Sequence, residues 1–222
     1  MTKVSAIVSA YYAVDYIEGR LINLLEQSPR PEIIVIAQQG SIEEHVARSH
    51  DCLVLTTVGI PTIYKAWNIG IRACSGEYIT SANCDDVLYK DALSTMAKAL
   101  DKYADCGVVY SDIDIKEAGK ELRTWKRKEP TPENLMTSCA PGPFPMWRKA
   151  LHNKYGLFNE AFKVAGDYEF WLRLASRGVK FYHIKKSLGI WAKRKDSAEF
   201  RDIDLTNTET RNIRQAYSRI VK

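Results

Sequence analysis

The residues best equipped for chemistry gather at a few points of the chain. The first is Asn83-Cys84-Asp85-Asp86, which abruptly ends an apolar run from Glu77 to Ala82. A buried strand that stops in Asn-x-Asp-Asp presents carboxylates at its C-terminal edge, where open α/β sheets bind ligands. Adjacent carboxylates there suit a hard divalent cation, Mg²⁺ or Mn²⁺, with phosphate oxygens completing its shell. A polar turn in which Asp86 caps the helix after Lys90 has the same appearance. The second point is Gly166-Asp167, at the head of a helical stripe through Trp171. Asp167 there either caps free amides or serves as a general base aimed into a cleft. The third comprises two strand exits, Ser9-Ala10-Tyr11-Tyr12 and Gln38-Gln39-Gly40-Ser41. Their aromatic and amide groups could hold a nucleobase by stacking and edge hydrogen bonds, although Gly40 and Ser41 equally suit an ordinary turn. The basic group Lys185, Lys186, Lys193, Arg194 and Lys195 reads as a solvated face, a phosphate contact or a contact with an anionic membrane surface.

The elements that must position these groups follow from periodicity. Apolar runs at Val4 to Ala10, Glu32 to Ala37, Leu53 to Thr56, Glu77 to Ala82 and Gly107 to Tyr110 are short enough for buried strands. Helical stripes lie between them: Ile17, Leu21, Leu24 and Leu25; Ile63, Trp67, Gly70, Ile71 and Cys74; and Leu93, Met96, Ala97 and Leu100. Strand alternating with helix predicts a mostly parallel α/β sheet covered on both faces. After residue 111 the pattern changes. Ile113 to Lys116 and Glu121 to Trp125 flank a glycine turn and predict an antiparallel hairpin. Pro130, Pro132, Pro141, Pro143 and Pro145 mark irregular connections. Val179 to Ile184 and Leu188 to Ala192 read as two closing strands, and Thr206-Asn207-Thr208-Glu209 as a capping box before a terminal amphipathic helix.

Composition narrows the function class. The chain has 222 residues, 32 basic against 27 acidic, and is 45% apolar. That much apolar material at low net charge excludes disorder and predicts one domain, residues 1–222, of two halves. The absence of a long apolar run or a leader-like start predicts a cytosolic protein, at most peripheral to the inner membrane face. Five scattered cysteines without a Cys-x-x-Cys pair suggest neither disulfides nor a thiolate metal site. His45, His50, His152 and His183 lack metal-ligand spacing and read as surface or packing residues. Basic residues form no aromatic-interleaved stripe, which argues against nucleic acid.

Taken together, Val4 to Ser197 resembles the family-2 glycosyltransferases of the GT-A fold. Ser9-Ala10-Tyr11-Tyr12 is similar to the family's nucleotide-contacting tract, and Trp67-Asn68-Ile69-Gly70 with Gly76-Glu77-Tyr78-Ile79 to its Arg-Asn-x-Gly helix and Gly-Glu-Tyr-Ile strand. Asn83-Cys84-Asp85-Asp86 falls on its Asp-x-Asp-Asp metal motif, and Gly166-Asp167-Tyr168-Glu169-Phe170-Trp171 on its Glu-Asp-Tyr-x-x-Trp helix. The resemblance implies an inverting transfer from a nucleotide-diphosphate sugar, a UDP-sugar being favoured, to a hydroxyl of a glycan or lipid-linked saccharide. Residues 1–86 would hold the donor and 87–222 the acceptor. Asp167 would be the base and Asp85 the ligand of a divalent cation, Mn²⁺ or Mg²⁺. Ser9, Tyr11, Gln38, Asn68, Asn83, Asp85 and Arg194 would contact the donor. Gly166 and Trp147 would contact the acceptor. From their place in the irregular second half, Trp125 and Trp147 read either as platforms for an acceptor sugar or as core, whereas Trp67 and Trp171, on apolar helix stripes, read as core rather than ligand platforms.

Four departures from the family pattern are visible: Gln38-Gln39 for Asp-Asp, Asn83 for an acidic residue, Trp67 for Arg, and Arg194-Lys195-Asp196-Ser197 for His-x-x-Ser. An amide carbonyl still accepts a base-edge hydrogen bond, and a basic side chain still binds phosphate. The same departures also suit a weakened sugar-nucleotide or glycan-binding protein. A nucleotidyltransferase would need a glycine-rich loop after the first strand, and Ser9 to Asp15 contains no glycine.

Overall fold

The structure is a computed structural model that describes residues 3–194, 197 and 201–218. Among the described residues nine strands form one mixed sheet in the spatial order Leu53–Thr57, Glu32–Gln38, Val4–Ala10, Tyr78–Ser81, Met146–Arg148, Cys106–Glu117, Lys180–Lys193, Val87–Leu88, with Arg123–Trp125 paired to Cys106–Glu117. The first half runs β1 (Val4–Ala10), α1 (Ile17–Leu25), β2 (Glu32–Gln38), α2 (Ile42–Arg48), β3 (Leu53–Thr57), α3 (Ile63–Ala73) and β4 (Tyr78–Ser81). β2 and β4 flank β1 and β3 flanks β2, all parallel. After β3 the chain crosses back through α3 to the other side of β1. This reversal opens a crevice at the carboxyl ends of β1 and β4, where such sheets take ligands.

The second half begins with β5 (Val87–Leu88) and α4 (Ala92–Lys102), then β6 (Cys106–Glu117), β7 (Arg123–Trp125), α5 (Pro132–Thr137), β8 (Met146–Arg148) and α6 (Ala150–Tyr155). It closes with α7 (Gly166–Ser176), β9 (Lys180–Lys193) and α8 (Ile203–Tyr217). Three differences from the sequence reading have physical causes. The two expected closing strands are one, β9, parallel to β6 and kinked by register shifts opposite Ser111 to Asp114; such irregularities bend a strand without ending it. The strand predicted at Gly107 to Tyr110 extends through the first arm of the hairpin as the twelve-residue β6. The proline-rich stretch hides a central strand, β8, which starts directly after Pro145 and bridges β4 and β6.

Alternation along the strands splits the core between the two faces of the sheet. Val8, Val35, Leu21, Leu24, Leu93 and Met96 fill the face under α1 and α4. Ile7, Ile34, Trp67, Phe158, Phe170 and Trp171 fill the face under α3 and α7. Gly70 lets α3 lie close on β1, since a Cβ there would stand 2.6 Å from Ile7 Cγ2.

Trp147 belongs to this second core, which corrects its assignment to the acceptor. It is 1% exposed, sits in β8 opposite Ile79, and its indole N–H donates to His152 Nε2 at 2.8 Å. Asn68 is likewise structural. Its amide nitrogen donates to the Phe158 carbonyl and to Glu160, and its carbonyl accepts from the Phe158 N–H, pinning the loop before α7 rather than facing a donor. Trp125, by contrast, is 44% exposed. Trp147→Ala is therefore expected to cost about 3 to 5 kcal/mol of stability in urea denaturation, and Trp125→Ala less than about 1 kcal/mol.

Candidate active site

Four strand or helix ends meet at the carboxyl edge of the sheet. At the exit of β1, Tyr11 hydroxyl shares a 2.8 Å hydrogen bond with Thr57 at the end of β3. The next residue, Tyr12, takes a left-handed backbone (φ 56°) and leaves its ring 73% exposed. A non-glycine residue held there costs free energy, and such residues concentrate at functional sites. Ser9 and Gln38 are half-buried near the exits of β1 and β2, and the Ser9 carbonyl accepts from the Cys84 thiol. The exits of β1, β2 and β3 thus lie side by side at the carboxyl edge of the sheet, with Tyr11 reaching the end of β3 and Ser9 reaching the 83–86 loop.

Within that loop the two carboxylates have separated roles. Asp86 is 2% exposed and turned inward. Its side chain accepts from the Ala192 N–H and from the Asn83 amide, both at 3.1 Å, and its carbonyl accepts from the fully buried Arg20 guanidinium. Burial, then the neighbouring Asp85, push its pKa up to about 7, against the pull of Arg20. Asp86 therefore ties the loop to β9 rather than capping α4, as the turn reading had it. Asp85 stays accessible and faces Arg194 at 3.5 Å, whose guanidinium also lies over the Tyr16 ring at 4.4 Å. Lys195 and Asp196 lie outside the described residues.

The second carboxylate centre is built by α7. Asp167 sits in its first turn, where free amides and the helix dipole favour negative charge. Tyr64 hydroxyl donates to Oδ1 at 3.2 Å and Cys139 thiol to Oδ2 at 3.7 Å. Burial raises the Asp167 pKa from 3.8, while hydrogen bonds from the Tyr168 N–H, Tyr64 and Cys139 oppose the rise. Burial and the charge of Asp167 hold both Tyr64 and Cys139 protonated, so each can only donate to it. Gly166 is buried, and a Cβ there would lie 2.8 Å from the Tyr64 ring. Its smallness brings Tyr64 onto Asp167, which replaces the expected acceptor contact with a packing role.

A strap from the C-terminal helix fixes this corner. Glu209 accepts hydrogen bonds from the backbone N–H groups of Lys163, Val164 and Ala165, at 2.9 to 3.0 Å. The sequence reading placed Glu209 in a capping box at Thr206; instead α8 begins earlier, capped by Asp202 through the Leu205 N–H. Thr206, Thr210 and Arg214, spaced four apart, present one stripe of α8 to a cavity of about 440 Å³. Asn83 and Asp167 both line it, together with Trp125, Trp191 and Arg127. Asn83 of the metal-like loop and the candidate base therefore share one hollow. The parts played here by Tyr64, Cys139, Glu209 and Arg214 escaped the sequence reading. Tyr64, three residues before Trp67 on the same stripe, carried the one usable signal.

Residues 5–156 match the family Glycosyl transferase family 2. The chain is 26% identical to an uncharacterized glycosyltransferase of Rickettsia conorii over 78% of its length and 31% of that protein. It is 27% identical to chondroitin synthase of Escherichia coli over 82% of its length and 28% of that protein. It thus spans about a third of the length of these relatives. Among solved structures, TarS of S. aureus in complex with UDP-GlcNAc superposes with a TM-score of 0.73 at 19% identity, covering 97% of this chain and 71% of that one. A mannosyltransferase of Pyrobaculum calidifontis in complex with GDP-Man and Mn²⁺ gives 0.73 at 16% identity, covering 98% of this chain and 64% of that one. The fold is that of GT-A glycosyltransferases, and with more than half its length matched the chain belongs to glycosyl transferase family 2.

Proposed function

We propose that this chain is an inverting glycosyltransferase that moves a sugar from a nucleotide-diphosphate donor to an acceptor hydroxyl. The observation that carries the reading is the shared cavity, which both Asn83 and Asp167 line. Residues 1–86 would bind the donor: Tyr11 and Gln38 the base, Ser9 and Asn83 the ribose or diphosphate, and Arg194 the phosphates. Relatives of this fold hold UDP-GlcNAc or GDP-Man, and a UDP-sugar is our preferred donor because the Gln38 carbonyl can accept from a uracil edge.

The residues present suit a divalent cation bound mainly through substrate. Asp85 offers one accessible carboxylate and Asp86 none, and among the described residues no cluster of three metal-ligating acidic, His or Cys side chains occurs. One or two carboxylates with phosphate oxygens is the usual shell for Mg²⁺. Asp85 would hold the ion, which when bound neutralises charge developing on the leaving diphosphate. Arg194, beside Asp85, adds a fixed cation to the same place.

Asp167 would take the acceptor proton on the far face of the sugar. Its raised pKa makes it a better base than an exposed aspartate, while Tyr64 and Cys139 fix its two oxygens. The acceptor would be a glycan or lipid-linked saccharide laid along the cavity, with Trp125 and Trp191 as apolar platforms. Among the described residues no helix is long and apolar enough to cross a membrane. A cytosolic enzyme that meets lipid-linked acceptors at the membrane surface is consistent with that.

Replacing Asp167 by Asn is expected to lower transfer by about 10² to 10⁴ while nucleotide binding, followed by calorimetry, persists; loss of both would assign Asp167 to folding. The base must be ionised, so the rate rises with pH through the raised Asp167 pKa, and the acid limb lies above the usual aspartate value of 3.8. Tyr64→Phe removes a donor to the ionised form and should move that limb to higher pH; an unmoved limb would place the titrating group elsewhere. Melting temperatures measured across nucleoside diphosphates with and without Mn²⁺ should rise when metal and the matching base are both present, and Asp85→Ala should abolish the metal dependence.

A further inference from the structure

The cavity wall carries more positive charge than its base uses. Arg127, Lys128 and Arg214 line it, whereas Asp167 is the single carboxylate among its described lining residues. Asp167 draws on none of them, its partners being Tyr64, Cys139 and a backbone amide.

Two of these cations reach the same residue, Thr137, and among the described residues neither pairs with a carboxylate. Lys128 Nζ donates to Thr137 Oγ1 at 3.4 Å, and Arg214 Nη2 donates to the Thr137 carbonyl at 2.6 Å. Arg214 Nε donates to the Tyr168 hydroxyl at 3.3 Å, another neutral partner. Several basic side chains elsewhere pair with acids, as in Lys3 with Asp101, Arg30 with Asp51, and Lys180 with Asp105. Like charges gathered at one point repel, and an anion placed between them relieves that repulsion. Guanidinium groups offer carboxylates and phosphates charge-assisted hydrogen bonds stronger than those of neutral pairs. Beside the pair stand the rings of Trp125 and Trp191, 6.1 Å apart and inclined at 40°, with the Arg127 guanidinium 4.3 Å over Trp125. The wall thus offers an apolar face for a sugar ring and, next to it, a cationic pocket.

We infer that the acceptor is an anionic saccharide, its carboxylate or phosphate held by Lys128 and Arg214 while a hydroxyl of the neighbouring sugar faces Asp167. This rests on the reading of the cavity as the acceptor site. It also assigns α8 a part in recognition, because Arg214 belongs to the stripe that lines the cavity.

The test compares three acceptors with the intact chain: a uronate-containing oligosaccharide, its carboxyl-reduced neutral counterpart, and a phosphodiester-linked saccharide. At least one anionic acceptor should exceed the neutral one in kcat/KM by about tenfold or more, as charge-assisted hydrogen bonds allow. The two anionic arms tell carboxylate from phosphate. The preference should shrink as salt rises. Lys128→Met and Arg214→Met should each erase most of it by raising the KM of the anionic acceptor more than that of the neutral one. Lys128 is exposed and makes one long contact, so its variant is expected to fold even where Arg214→Met is not. Equal use of charged and neutral acceptors, or variants that impair both alike, would overturn the inference. Direct binding of the same oligosaccharides, read by tryptophan fluorescence, keeps the outcomes separate. Charge-dependent binding without transfer sinks the catalytic reading and upholds this one; transfer without charge preference does the reverse.

Discussion

A carboxylate kept largely from water at the head of a helix is the arrangement on which this molecule turns. Asp167 stays in place because two neutral donors, Tyr64 and Cys139, reach it from different elements, and because Glu209 secures three consecutive amides of the approach to α7. Each of these contacts spans a long stretch of sequence. The candidate base is therefore a product of the assembled fold: α3 must cross back behind β1, α5 must lead into Cys139, and α8 must dock on α7. Ile213 and Tyr168, both buried in the small third core, supply the apolar contact that holds α8 there.

The proposed donor side obeys a different logic. Ser9, Tyr11, Gln38 and Asn83 lie at or just beyond the carboxyl ends of neighbouring parallel strands, which the sheet itself brings together, so local sequence suffices to place them; Arg194, from beyond β9, is the exception. The 83–86 loop shows how two neighbouring aspartates acquire opposite fates. Asp86 is drawn in by Arg20 and the Ala192 amide and becomes a strut to β9; Asp85 is left partly exposed and facing Arg194. In the same way the carboxylates of a nominal metal motif divide into one structural and one available group.

This contrast explains what could be read in advance. β1 spans Val4–Ala10 as the apolar run predicts, and the α/β alternation of the first half holds because parallel strands buried on both faces are apolar throughout. The Gly166-Asp167 helix and the strand before Asn83 were legible for the same local reason. β8 was not: three residues behind a proline, including Trp147, carry no periodicity, and their strand character comes from β4 and β6 on either side. Asn68 resembled a donor contact and serves the Phe158 loop instead. Thr206 to Glu209 had the pattern of a helix start, but the Glu209 side chain is committed to amides more than forty residues away, a tertiary partner that overrides local capping.

Thr206, Thr210 and Arg214 recur at one helical spacing along α8, while Glu209 fastens that helix from a neighbouring position. Attachment and lining are thus carried by separate side chains of one helix. If the cavity is the acceptor site proposed above, a lineage could rewrite which saccharides it takes through a few exchanges along that lining, leaving the strap and the proposed base untouched, much as a lock is rekeyed without moving its bolt.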